Sequence, residues 1–83
     1  MTRTGAHTEE LVRYLIGSLV ENADAVSIEC LEEADTVRFE VTLDAEDVGK
    51  VIGRGGRIIK AIRTLARAAG SAEGLQVDVD VIG

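Results

Sequence analysis

The apolar residues of this chain change their spacing along its length, and the order of those changes limits the folds open to it. Leu11, Val12, Leu15, Ile16, Leu19 and Val20 recur at helical intervals, which sets one apolar stripe against a core. Thr8 followed by Glu9 and Glu10 reads as an N-cap with an acidic first turn, where the helix dipole favours negative charge. A helix over residues 8–22 is therefore predicted. The spacing then falls to two: Val26, Ile28 and Cys30 alternate with Ser27 and Glu29, and Val37, Phe39, Val41 and Leu43 alternate with Arg38, Glu40 and Thr42. These are two strands, each apolar on one face. Between them Glu32-Glu33-Ala34-Asp35 is a polar turn short enough for an antiparallel hairpin.

Helical spacing returns after Asp44, which is placed to cap a short helix with Glu46 and Asp47 in its first turn and Val48, Val51 and Ile52 on its buried side. Gly53, Gly55 and Gly56 end that helix abruptly. A third helix is expected over residues 57–69, with Gly70 as its C-terminal stop. At 100° per residue, Ile58, Ile62, Leu65 and Ala69 form its core side, and Arg57, Lys60, Arg63, Thr64 and Arg67 form a basic side. After a turn at residues 71–74, Leu75, Val77, Val79 and Val81 alternate with Gln76, Asp78 and Asp80 as a third strand. The order α-β-β-α-α-β solves each element's burial problem if the helices cover one face of a three-stranded sheet. The fold class is thus α+β, a two-layer sandwich whose polar sheet face, with Glu29, Glu40, Asp78 and Asp80, looks at solvent. At 83 residues and 46% hydrophobic composition there is room for one core, expected over residues 8–83 behind a flexible tail of residues 1–7.

Several function classes are disfavoured by composition. One cysteine, Cys30, and one histidine, His7, supply neither an internal disulfide nor a zinc set. Cys30 reads as a small apolar filler, and His7 falls in the tail and has no role. No metal or other cofactor is expected. No apolar run approaches the roughly 20 residues that cross a bilayer, and residues 1–7 lack a signal-peptide core, so a cytoplasmic protein with no membrane role is expected. The acidic groups Asp44, Glu46, Asp47 and Asp78, Asp80 are covered by capping and solvent-face roles. No nucleophile–base pair is evident, and both the P-loop and the dinucleotide fingerprint are absent, so the chain reads as a non-enzyme.

Charge is unevenly placed. The net charge is −6, yet Lys50, Arg54, Arg57, Lys60, Arg63 and Arg67 fall between residues 48 and 70 with no acidic residue among them. Gly53-Arg54-Gly55-Gly56 sits inside that stretch, between two helices. Alone, a G-x-x-G tetrapeptide usually marks a tight turn, and a basic helix face is usually a solvated one. Their coincidence, with Arg54 at the tip and a helix N-terminus behind it, points to an anion such as phosphate.

The run from Gly49 to Thr64, Gly-Lys-Val-Ile-Gly-Arg-Gly-Gly-Arg-Ile-Ile-Lys-Ala-Ile-Arg-Thr, closely resembles the signature of K-homology (KH) domains. Its lead-in, its continuation and the chain length resemble the small bacterial single-KH proteins of the KhpA (YlqC) family, over about residues 8–82. The resemblance implies a type II KH fold that binds single-stranded RNA, about four nucleotides of it, by a GXXG loop. It implies phosphate contact by Gly53, Arg54, Gly55 and Gly56, a base groove lined by Val51, Ile52 and Ile59, and backbone contact by Arg57 and Lys60, with Lys50 beside them. It further implies a homodimer, a complex with a KH and R3H domain protein called KhpB, Jag or EloR, and a role as an RNA chaperone in cell elongation and cell-wall homeostasis. Ile59 or Leu65 would be exposed candidates for the dimer surface. Gly55 departs from relatives that carry a polar or basic residue there, and the acidic body leaves affinity modest and salt dependent. The rival reading is a KH-fold module that holds an acidic protein partner in the same groove.

Overall fold

The computed structural model describes residues 6–82. Helix α1 (Ala6–Leu19) is followed by a 3-10 turn (Ala23–Ala25), strands β1 (Ser27–Glu33) and β2 (Thr36–Thr42), helix α2 (Ala45–Ile52), a second 3-10 turn (Arg54–Gly56), helix α3 (Arg57–Ala72) and strand β3 (Gln76–Ile82). This is the expected α+β order. Ala6 and His7 are already helical, and residues 1–5 of the expected tail lie outside the described residues.

Strand β2 is central, in the order β1-β2-β3. It pairs antiparallel with β1, Cys30 facing Phe39, and parallel with β3, Phe39 facing Val79. Parallel neighbours cannot be joined by a tight turn and need a long crossover. Here the crossover is α2, the glycine loop and α3, so the loop is the midpoint of the one connection the sheet topology requires. The hairpin is tighter than the sequence suggested. Glu32 and Glu33 belong to β1, leaving Ala34 and Asp35 as the turn, with Ala34 at φ 54°.

One sheet face and the helices above it form the core. Val37, Phe39, Val41 and Val79 are fully buried, as are Val12 and Ile16 of α1 and Val51 of α2, and each such side chain is worth about 1.5–3 kcal/mol of transfer free energy. Helix α3 meets this core on a different side from the one the wheel suggested. Its buried residues are Ile59, Ile62, Ala66 and Gly70, while Ile58 is half-buried and Leu65 is 48% exposed. Small residues decide this. A Cβ on Gly70 would lie 2.1 Å from Cγ2 of Val77, so the bare backbone of Gly70 lets α3 settle on β3. Gly70 is thus a packing residue within the helix, and the chain turns instead around Gly74, at φ 74°.

Two polar groups are buried with the core. The Thr8 hydroxyl, expected as an N-cap, donates instead to a Glu73 carboxylate oxygen at 2.7 Å, a charge-assisted bond that ties the first turn of α1 to the end of α3. Asp47 accepts from the backbone amides of Glu21 and Asn22 at 3.1 and 3.0 Å and from Asn22 Nδ2 at 3.2 Å. It thereby fastens the end of α1 to the start of α2. Burial pushes the Asp47 carboxyl up, but these hydrogen bonds and one from Lys50 outweigh that and hold it below the usual carboxylate range.

Candidate nucleic-acid interface

Helices α2 and α3 begin in opposite electrostatic conditions. The α2 start is compensated: the Asp44 carboxylate accepts from the Glu46 amide at 2.9 Å, and Glu46 and Asp47 occupy the first turn. Helix α3 starts at Gly56 with no side-chain cap and no acidic residue in its first turn. The Arg57 amide closes back on the Arg54 carbonyl, so what this start offers an anion is the positive end of a 16-residue dipole that no carboxylate of its own first turn offsets.

Three left-handed glycines create that start. The Gly53 amide closes α2 on the Gly49 carbonyl at 2.9 Å, and the Gly56 amide returns to the Gly53 carbonyl at 3.1 Å. Gly53 lies at φ 76°, ψ 173°, Gly55 at φ 64°, ψ 18° and Gly56 at φ 75°, ψ 18°. At Gly53 a side chain is barred twice, since a Cβ would also stand 2.6 Å from Ile58 Cγ1. Gly55 projects into open space, and Arg54 is exposed at the tip. Arg57 and Lys60 are exposed one after the other on the next turn, and with Arg54 they make no ion pair among the described residues.

The remaining expected site residues divide. Val51 and Ile59 are 0% and 4% exposed, so they anchor the two helices from below and line no open groove; Ile59 is also removed as a dimer contact. Ile52 is half-buried at the core margin. Lys50 Nζ lies 3.0 Å from Glu21 Oε1 and 3.4 Å from Asp47 Oδ1. The Glu21 hydrogen bond holds its ammonium above the ordinary value, and the side chain is directed to that acidic pair. Sequence reasoning missed Ile58, whose side chain fills the space under Gly53. Its signal was the missing Cβ at Gly53, which only the folded loop brings against Ile58.

The model of the KhpA/KhpB KH domain matches residues 9–81. The chain belongs to the KhpA/KhpB KH-domain family. Among its relatives, the RNA-binding protein KhpA of Caldanaerobacter subterraneus is 42% identical over 73 residues, 88% of this chain and 97% of that protein. KhpA of Borreliella burgdorferi is 36% identical over 73 residues, 88% and 89% of the two chains, and KhpA of Listeria monocytogenes 36% over 74, 89% and 97%. Among solved structures, Aquifex aeolicus Era bound to GDP and AlF4− superposes with a TM-score of 0.66 at 21% identity over 99% of this chain and 33% of that one. Era in complex with MgGDPNP and 16S ribosomal RNA gives 0.62 at 23% identity, over 90% and 30%. At these identities the likeness shows the fold, and the chain spans about a third of each Era chain. The KhpA/KhpB fold thus places its glycine loop at the crossover that joins two parallel strands.

Proposed function

We propose that this KhpA/KhpB-family domain binds single-stranded RNA and does no chemistry of its own, with Gly53, Arg54, Gly55 and Gly56 as the phosphate-holding loop. The observation that carries this reading is the uncapped, acid-free N-terminus of α3 behind three left-handed glycines, in a chain whose relatives bear the name RNA-binding protein. Arg57 and Lys60 meet the backbone beside the loop, about four nucleotides being held as in other GXXG loops. Ile52 is the one expected groove residue with surface to offer a base.

A footprint so short gains affinity by linkage to a second module. A groove of about 410 Å³ between α1 and α3, lined by Tyr14, Leu15, Leu19, Ile58, Ala61 and Leu65, supports the homodimer that the family implies, through the 48% exposed Leu65 and the 72% exposed Tyr14. Partnership with a KhpB/Jag/EloR-type protein, a cytoplasmic location and a role in cell elongation and cell-wall homeostasis rest on family membership alone. Leu65→Glu is expected to lower the mass seen by light scattering from dimer to monomer with the circular dichroism unchanged; a dimer of unaltered mass refutes this surface.

The loop is tested by Arg54→Asp with Gly55→Asp. Both positions are exposed and aspartate tolerates left-handed backbone, so the fold is expected to survive. Crosslinked RNA recovered from cells should then fall sharply. Undiminished recovery from a variant with native circular dichroism sinks the loop reading, and turnover of RNA or nucleotide by the purified wild-type chain sinks the non-enzyme one.

A further inference from the structure

Two basic residues of α3 continue the loop's charge along the helix, and neither is part of the site described above. Arg63 and Arg67 follow Lys60 at spacings that keep them on neighbouring turns of one side. Both reach the outer edge of β3, which among the described residues pairs only with β2. Arg63 Nε donates to the Val79 carbonyl at 2.9 Å, covering an edge group that would otherwise be open to another strand. Its Nη2 lies 3.9 Å from Asp80 Oδ1, and Arg67 Nη2 lies 3.6 Å from Asp78 Oδ1. The four side chains form a ladder of two cations facing two anions beside the helix.

These are weak pairs. The side chains are 33% and 51% exposed in the Arg63–Asp80 pair and 60% and 46% in the Arg67–Asp78 pair, and exposed pairs of such length contribute little net stability. A more densely charged anion can displace the carboxylates at small cost. The Arg63 bond to the Val79 carbonyl does not involve Asp80, so the guanidinium stays at the β3 edge when that carboxylate is displaced.

The geometry points to Arg63 and Arg67 as a second phosphate-contacting set, with Asp78 and Asp80 as the intramolecular competitors that determine how far along α3 a nucleic-acid strand is held. This rests on the RNA reading of the loop. With the carboxylates in place, a phosphate that takes an arginine must free an aspartate, which then gathers cations from solution. The net release of counterions is small, and binding is confined to the loop end. Without them, two further phosphates can be neutralised outright.

The test is fluorescence anisotropy of labelled oligouridine across a salt series, using one strand of about four nucleotides and one about twice as long. Asp78→Asn with Asp80→Asn is expected to leave the short strand unchanged. On the long strand it should tighten binding and steepen the slope of log K against log salt by roughly 1.4, twice the ~0.7 per contact of single strands. Adding Arg63→Gln and Arg67→Gln should remove that increment. If the double asparagine variant does not fold, Asp80→Asn alone is read against half the increment. An unchanged long-strand slope in a folded variant overturns the inference, and so does an equal gain from Glu10→Gln with Asp24→Asn, which removes the same charge away from the ladder. A wild-type protein that binds neither strand at the lowest salt overturns the RNA reading itself.

Discussion

Gly53→Ala isolates what the loop demands of its backbone. At φ 76°, ψ 173° the residue sits in a region that is essentially glycine-only, where strain is of order 1–3 kcal/mol. A steric term adds to it. The new methyl would lie 2.6, 2.9 and 3.0 Å from Cγ1, Cδ1 and Cβ of Ile58, and rotation about χ1 moves the first two atoms but leaves Cβ where it is. Ile58 is half-buried against α1, so it yields only by repacking, at roughly 1–3 kcal/mol. The sum, about 2–6 kcal/mol, is comparable to the whole stability of a domain this size. Gly55→Ala supplies the internal control. Its φ of 64° is also left-handed, but no atom lies within 4 Å of its Cβ position, leaving only the roughly 1–2 kcal/mol of left-handed alanine. Urea unfolding followed by far-ultraviolet circular dichroism should therefore separate the two variants by at least about 1 kcal/mol, with Gly53→Ala the weaker. Equal losses would refute the reasoning, because they would mean that Ile58 does not hold Gly53 in its extended left-handed state.

Two further substitutions probe the frame that carries the loop. The Asp47 carboxyl lies below its unfolded value in the native state, so the folded chain binds fewer protons, and its stabilising contribution is full above about pH 4 and lost as pH falls through the depressed native value. Asp47→Asn should be less stable than wild type at pH 7 and lose less between pH 5 and acid; parallel acid limbs in the two proteins would count against the buried carboxylate. Gly70→Ala gains about 1 kcal/mol of helix propensity but drives a methyl to within 2.1 Å of Val77. A net loss of about 1–2 kcal/mol and a fall in Tm of several degrees are expected, and a raised Tm would show that α3 does not sit so close to β3.

The order of elements was legible because each strand and helix keeps one period throughout and punctuation falls at real ends, as Asp44 and Gly53 show. The orientation of α3 was not. Its apolar residues Ile58, Ile59, Ile62, Leu65 and Ala66 spread over about a third of the wheel at 100° per residue, so periodicity finds an amphipathic helix without saying which sector of that arc meets the sheet. Gly70 settles that sector, through a contact with Val77 that exists only after β3 has returned to the sheet. The same limit applies to the site. Gly53, Arg54, Gly55 and Gly56 could be read as a unit because they are contiguous and their function depends on backbone. Lys50 could not be told apart from Arg57 or Lys60, since its partners Glu21 and Asp47 are brought to it by the packing of α1 on α2. Thr8 was misread for a like reason: its acceptor, Glu73, is 65 residues away.

That partition of charge makes a quantitative statement about binding. Of the basic residues between 48 and 70, Lys50 is engaged by Glu21 and Asp47, Arg63 by Asp80 and Arg67 by Asp78. Arg54, Arg57 and Lys60 are left, all within the loop and the first turn of α3, and about four nucleotides present a matching number of internucleotide phosphates. Three contacts at ~0.7 each give a slope of log K against log salt near −2. A fourfold rise in salt should then weaken wild-type binding by roughly 20-fold. A slope near −4 would mean that all six cations meet phosphate as free charges, and that Glu21, Asp47, Asp78 and Asp80 do not hold Lys50, Arg63 and Arg67 in the unbound protein. A slope near zero would place the RNA contact on uncharged surface such as that of Ile52, and the loop would then be a turn that joins two helices and nothing more.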